Sequence, residues 1–185
     1  MAEDDRDVIE VLTHDHREVE SMFDKLTAVT DPGERRQIAD QITIELVRHS
    51  VAEEQHLYPA VREHVPGGDA IADRELADHA EVEKLLKGLE KTEPESEDFS
   101  ALTGQLIRTV SAHVQDEEHA VFPALAGHAS PADLRRLGEQ VQAAKDTAPT
   151  RPHPAAPDRP PLNKLLAPGA GMVDRVRDHL SGRGQ

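Results

Sequence analysis

Apolar side chains recur every three or four positions along most of this chain, the spacing that gathers them on one side of a helix. Val8, Val11, Leu12, Val19, Met22, Phe23 and Leu26 form the first stripe, over about residues 8–29, and Asp31-Pro32-Gly33 ends it. A second helix is expected over about 34–64. Its stripe runs Ile38, Ile42, Leu46, then His49 and Glu53; Pro66-Gly67-Gly68 stops it, and Pro59 is expected to bend its last turns. A third helix, about 70–91, carries Ile71, Val82, Leu85, Leu86 and Leu89, and an acidic, proline-containing segment, 92–98, separates it from a fourth, about 99–126. No strand pattern competes. Short connections between long helices force antiparallel neighbours, so the expected fold is all-α: an up-down-up-down four-helix bundle.

Ser130-Pro131-Ala132-Asp133 reads as a helix start, with serine as cap and proline at the first position, so an additional short helix should run to about residue 145 and pack on the bundle. Residues 1–146 are thus read as one domain. Prolines 149, 152, 154, 157, 160 and 161 make 147–161 an extended, proline-rich linker, and 162–185 a C-terminal tail with one short amphipathic helix near 172–180. Such a helix is too short to be stable undocked, which makes the tail a candidate for a protein partner.

A longer period overlies the helical one. Asp15-His16-Arg17-Glu18-Val19-Glu20 returns as Asp78-His79-Ala80-Glu81-Val82-Glu83, and His49-Ser50-Val51-Ala52-Glu53-Glu54 as His113-Val114-Gln115-Asp116-Glu117-Glu118. Tyr58-Pro59 and Phe122-Pro123 follow at matching distances. A hairpin repeated in this way brings its histidines and carboxylates around a pseudo-twofold axis.

Helical phase sorts the candidates. His49 and Glu53 continue the apolar row of the second helix, His113 and Glu117 that of the fourth, and His16 shares a side with Leu12, Val19 and Phe23, with His79 as its counterpart. His14 points to the polar side. A single inward histidine is more often a hydrogen-bonded core residue than a ligand, and an isolated His–Glu pair four apart is often a solvated helix-surface contact. Four such positions agreeing in register reverse that reading, because carboxylates on an apolar face require a cation or a proton. His16, His49, Glu53, His79, His113 and Glu117 are therefore the expected metal ligands. His56 also falls inward on a regular helix, where it serves equally as a third imidazole or as a core residue. Glu20 and Glu83 complete two further His-x-x-x-Glu pairs farther from the apolar centre, as solvated groups or supports behind the ligands. Tyr58 and Phe122 read as packing residues, with a redox or ligand role for Tyr58 as the lesser alternative.

Composition narrows the chemistry. The 36 acidic and 21 basic residues give a net charge of −15, which opposes nucleic-acid binding. With no cysteine, disulfides, thiolate metal sites and cysteine nucleophiles are excluded. The acidic N-terminus lacks the pattern of a secretory signal and no apolar run spans a membrane, so the expected location is cytoplasmic. Four imidazoles with two carboxylates suit first-row transition metals rather than calcium or magnesium, and suit two ions better than one, with Glu53 and Glu117 bridging and coordination positions left open.

At these residues the sequence resembles the hemerythrin family, in its bacterial HHE cation-binding branch, over about residues 8–126. The resemblance rests on His16, His49 with Glu53, His79, and His113 with Glu117. It implies two non-heme iron ions with oxo or hydroxo and carboxylate bridges, in a protein that binds or senses dioxygen, nitric oxide or peroxide, as in oxidative or nitrosative stress. Two alternatives stay open: a di-iron catalase or peroxidase consuming hydrogen peroxide or nitric oxide, and an interaction module that the metal only staples. The oxygen carriers have a second histidine where this chain has Glu83, and an aspartate five residues after the fourth-helix histidine. Here Glu117 and Glu118 stand at four and five. Fewer imidazoles and more carboxylates stabilise ferric iron.

Overall fold

The computed structural model describes residues 6–153, 170–174 and 178. Its first rod, α1 (Val8–Ala28), starts at a capping box: Asp7 accepts from the backbone N–H groups of Ile9 and Glu10, and the Glu10 carboxylate accepts from that of Asp7. The second begins with Asp31 as cap and Pro32 in first position, and comprises α2 (Pro32–Ala52), a wide π turn (Glu53–Leu57) and α3 (Tyr58–His64). Gly67, at φ 75°, then turns the chain, and a Cβ on Gly68 would stand 2.1 Å from the Val61 carbonyl oxygen, so both glycines are needed there. α4 (Gly68–Leu89) returns along the bundle. Ser96 caps the last long rod, which repeats the second: α5 (Glu97–Asp116), a π turn (Glu117–Val121) and α6 (Phe122–His128). α7 (Pro131–Thr147) follows from its Ser130 cap. No strand occurs among the described residues, and no described helix is long and apolar enough to cross a membrane.

The prolines explain the two π turns. Pro59 and Pro123 have no N–H, and their rings crowd the carbonyl four residues back. The chain responds just ahead of each by widening one turn, closed by Tyr58 N–H to the Glu53 carbonyl and Phe122 N–H to the Glu117 carbonyl. One extra residue rotates everything after it by about 100°. Tyr58 and Phe122 thereby move onto the faces of Glu53 and Glu117. The bend expected at Pro59 is this re-phasing.

Two apolar clusters fill the bundle. One holds Leu12, Leu57, Val61, Leu76, Phe122 and Leu125, closed by Leu137 and Val141 of α7; the other holds Val19, Phe23, Ile42, Leu46, Leu86, Phe99, Leu106 and Val110. Buried histidines and carboxylates form the layer between them. α7 packs across α1 and α2. It comes close at Gly138, where a Cβ would lie 2.5 Å from the Arg6 carbonyl oxygen. Gly138→Ala should therefore push α7 away from the start of α1 and cost about 1–3 kcal/mol in chemical denaturation, the usual range for overpacking.

The segment read as an extended linker is partly held. Residues 148–153 lie against α4, with His153 N–H donating to Glu83 Oε1 at 2.7 Å and the Arg151 guanidinium 3.6 Å from Glu90. Asp174 reinforces them by accepting from the backbone N–H groups of Thr150 and Arg151. Residues 154–161 and most of the tail lie outside the described residues.

Candidate metal centre

Each of the four long rods of the bundle contributes to the layer between the apolar clusters. His16 comes from α1, His49 and Glu53 from the second rod, His79 from α4, and His113 and Glu117 from the last; all six are buried, and both carboxylates are fully so. Donor atoms of His16, His49, Glu53 and Glu117 lie within 4.8 Å of one another, as do those of Glu53, His79 and His113, and those of Glu75, His113 and Glu117. Glu53 spans the first two groups: its Oε1 is 3.1 Å from His49 Nε2 and its Oε2 is 3.3 Å from His79 Nε2. Glu117 mirrors it through Oε2, at 3.3 Å from His16 Nε2 and 3.5 Å from His113 Nε2.

Carboxylates behind the rings decide which nitrogen faces the centre. His16 Nδ1 meets Glu118 at 2.8 Å, His79 Nδ1 meets Glu54 at 3.1 Å, His49 Nδ1 meets Asp15 at 3.2 Å, and His113 Nδ1 faces Glu75 at 3.1 Å. A carboxylate at Nδ1 holds the proton there and leaves the Nε2 lone pair pointing inward, the arrangement common to metal-bound imidazoles. The His16–Glu118 and His79–Glu54 pairs are exchanged by the pseudo-twofold. The other two are not, because Glu75 stands where the first hairpin has Leu12, while Asp78, the repeat of Asp15, stays half-buried.

Lone pairs and carboxylate oxygens facing each other at such distances call for positive charge between them. His16 Nε2, both oxygens of Glu53 and Glu117 Oε2 are buried with no hydrogen-bond partner. Burial works against protonating His49, yet the charge of Glu53 and the hydrogen bond to Asp15 lift it to about 10. Burial likewise opposes His79, and Glu53 and Glu54 raise it to about 10. Glu53, despite its burial, is held well below the usual carboxylate range by His49 and His79. Protons or metal ions can supply this charge, since either one placed between an imidazole nitrogen and a carboxylate oxygen satisfies both. The donor set fits first-row transition ions.

Tyr58, read from the sequence as a packing residue, faces the centre instead. Its hydroxyl donates to Glu117 Oε1 at 3.1 Å and lies 2.9 Å from His79 Nε2. The π turn is the reason, and a proline following the aromatic in each repeat was its signal. Phe122 takes the equivalent place and stacks on His16, with ring centroids 5.8 Å apart. The same rotation carries His56 off the inward row, where it is half-buried and outside the donor groups. Glu20 is exposed and paired with Arg17, and Glu83 faces residues 148–153; neither enters the layer. Glu54 and Glu118, the second acids of the repeated Glu-Glu pairs, and the Asp preceding His16 carried a sequence signal; Glu75 carried none.

Against the histidines lies a small cavity of about 20 Å³, lined by Val19, Leu46, Val82, Val110 and Val114, with Ser50 at its wall. That is room for one water-sized molecule.

A four-helix bundle whose mid-layer collects four imidazoles and two carboxylates lying between them defines a helical cation-binding protein. The chain belongs to the hemerythrin family: the hemerythrin HHE cation binding domain matches residues 7–125. An uncharacterized hemerythrin-like protein of Schizosaccharomyces pombe is 25% identical over 174 residues, covering 94% of this chain and 86% of that protein. A DNA nickase of Nostoc is 31% identical over 142 residues; the match covers 76% of this chain but only 40% of that protein. Among solved structures, an HHE cation-binding domain-containing protein from Mycobacterium kansasii superposes with a TM-score of 0.67 at 24% identity, over 76% of this chain and 86% of that one.

Proposed function

We propose that the protein is a non-heme di-iron protein that binds or senses a small oxidant or diatomic molecule: dioxygen, nitric oxide or peroxide. The observation that carries this reading is the small apolar cavity against the four inward histidines of the donor set. His16 and His49 would hold one ion, His79 and His113 the other, with Glu53 and Glu117 shared and Tyr58 beside the second. Iron, when bound, supplies electrons to the small molecule or takes them from it. The protein groups do the rest. Asp15, Glu54 and Glu118 hold the imidazole protons of His49, His79 and His16 at Nδ1, the valine wall excludes bulk water, and the Tyr58 hydroxyl keeps a proton within reach of Glu117 and His79. The cavity limits access to molecules of a few atoms.

Turnover of peroxide is the second reading, favoured by the Tyr58 hydroxyl, which places a proton donor beside the carboxylate-rich set. A nucleic-acid substrate like that of the Nostoc relative is not part of the proposal, since a net charge of −15 repels phosphate backbones. The deciding experiment is metal analysis of protein purified after iron-supplemented growth, followed by addition of peroxide or nitric oxide. We expect about two irons per chain and a spectrum perturbed by the small molecule. Steady oxygen evolution, lost in His49→Ala and His113→Ala, selects the enzyme; stoichiometric change alone selects the binder. Zinc or no metal overturns both.

A further inference from the structure

α7 lies past residue 125, where the family match ends, yet it reaches the metal layer. It packs against α1, α2 and the π turn at Glu53–Leu57, the segments that bring His16, His49 and Glu53. Leu134, Leu137 and Val141 join the apolar cluster of Leu12 and Leu57. The last turn of α7 carries a charge instead. Lys145 is only 6% exposed, and its ammonium lies 2.6 Å from Asp15 Oδ1. The other oxygen of Asp15 accepts the Nδ1–H of His49 at 3.2 Å. Arg48, next to His49 in the chain, donates from Nε to the Lys145 carbonyl at 2.9 Å, which fixes the α7 backbone where the lysine side chain leaves it. A buried ammonium, a buried carboxylate and a metal-facing imidazole are thus joined in a row.

We propose that Lys145 is a positioning residue through which the docking of α7 sets the orientation of His49, so that α7 is part of the metal centre rather than a cover on the bundle. A carboxylate enclosed in the fold needs a counter-charge as well as a hydrogen bond. Lys145 supplies it. Asp15 therefore stays against the ring and holds the Nδ1 proton, and Nε2 is aimed at Glu53. Without the ammonium the carboxylate gains by turning toward water, and the imidazole loses the partner that fixes its plane. The dependence runs both ways: if docked α7 favours the metal-binding arrangement of His49, bound metal favours docked α7 by the same factor. The sign of the effect separates this role from a purely electrostatic one, because removing a cation from the neighbourhood of a metal ion would by charge alone tighten metal binding. This inference rests on the reading of the layer as an iron centre.

Anaerobic competition between the full chain and a ferrous chelator tests it, together with hydrogen exchange along α7 and circular dichroism to check that each variant is folded. Lys145→Met should weaken ferrous binding by about 10–100-fold, the usual loss for a group behind a metal-bound histidine. The double variant Asp15→Asn with Lys145→Met offers His49 Nδ1 a neutral acceptor and leaves no charge buried at this pair. It should fold even where Lys145→Met does not, bind iron more tightly than Lys145→Met, and stay within about tenfold of wild type, the lower end of that loss. Ferrous iron should also slow the exchange of α7 amides, which open with that helix, in wild-type protein but not in the double variant, where the tie between α7 and residue 15 is gone. Unchanged or tighter ferrous binding in folded Lys145→Met, a double variant weakened by more than about tenfold, or iron that slows α7 no more in wild type than in the double variant would each overturn the proposal. Wild-type protein that takes up no iron would instead overturn the reading on which it rests.

Discussion

Glu53→Ala should leave the purified protein nearly free of metal, while His16→Ala and His113→Ala each lose mainly the ion on their own side. The difference follows from geometry. His16 shares no donor group with His79 or His113, and His113 shares none with His16 or His49, but the two oxygens of Glu53 lie 3.1 and 3.3 Å from nitrogens belonging to different groups. Removing it deprives both ions of a donor and of the charge that offsets their mutual repulsion. Loss of a hydrogen-bonding partner behind a ligand typically costs 10–100-fold in metal affinity, and loss of a shared ligand should exceed about 100-fold. Iron content after dialysis against a weak chelator reads the result directly. Glu117→Ala is expected to act like Glu53→Ala, because its Oε2 faces a histidine on each side. A Glu53→Ala protein that retained its full metal content would show that the two donor groups act independently.

How far the sequence exposes this centre depends on how regular the helices are. His16 and His79 sit within uninterrupted helices, and His49, Glu53, His113 and Glu117 precede the wide turns or open them, so counting by 3.6 puts all six on the faces that the structure buries. Beyond Glu53 the count fails. Tyr58 and His56 exchange roles because one residue is inserted between Glu53 and Tyr58, and the cause, the missing N–H of Pro59, acts on backbone geometry rather than on hydrophobic pattern. The groups behind the rings divide in the same way. Glu54 and Glu118 lie in the repeated motif, next to residues already singled out, whereas Glu75 and Lys145 break the repeat. Lys145 is part of a helix whose local pattern announces only that it packs on something. Its burial against Asp15 depends on how α7 docks, which Gly138 permits by its close approach to Arg6.

Removing the metal should destabilise the fold, and the loss should grow with pH. Without ions, the layer keeps its charge balance by holding protons on imidazoles. His49 and His79 are raised from 6.5 to about 10 in the folded protein, by Glu53 and their other carboxylate partners against the opposing effect of burial. A group whose folded pKa lies above its unfolded value stabilises the fold fully below the unfolded pKa, and that contribution disappears as pH rises through the folded one. Metal-free protein should thus lose on the order of a few kcal/mol between about pH 6.5 and 10. Glu53 does not reverse this trend, because its depressed pKa makes its contribution constant above about pH 5. The metal-bound protein behaves oppositely, since ions compete with protons for the same lone pairs and bind more tightly as protons become scarce. At a free metal concentration about 100 times Kd, binding adds about 2.7 kcal/mol. In a domain of this size that raises Tm by roughly 5–11 °C. Thermal melts followed by helical circular dichroism, with and without chelator, should show a gap near that size at neutral pH that widens toward pH 9. A gap that stayed constant or narrowed would mean that the imidazoles are not where metal and protons compete, and would remove the electrostatic basis of the centre.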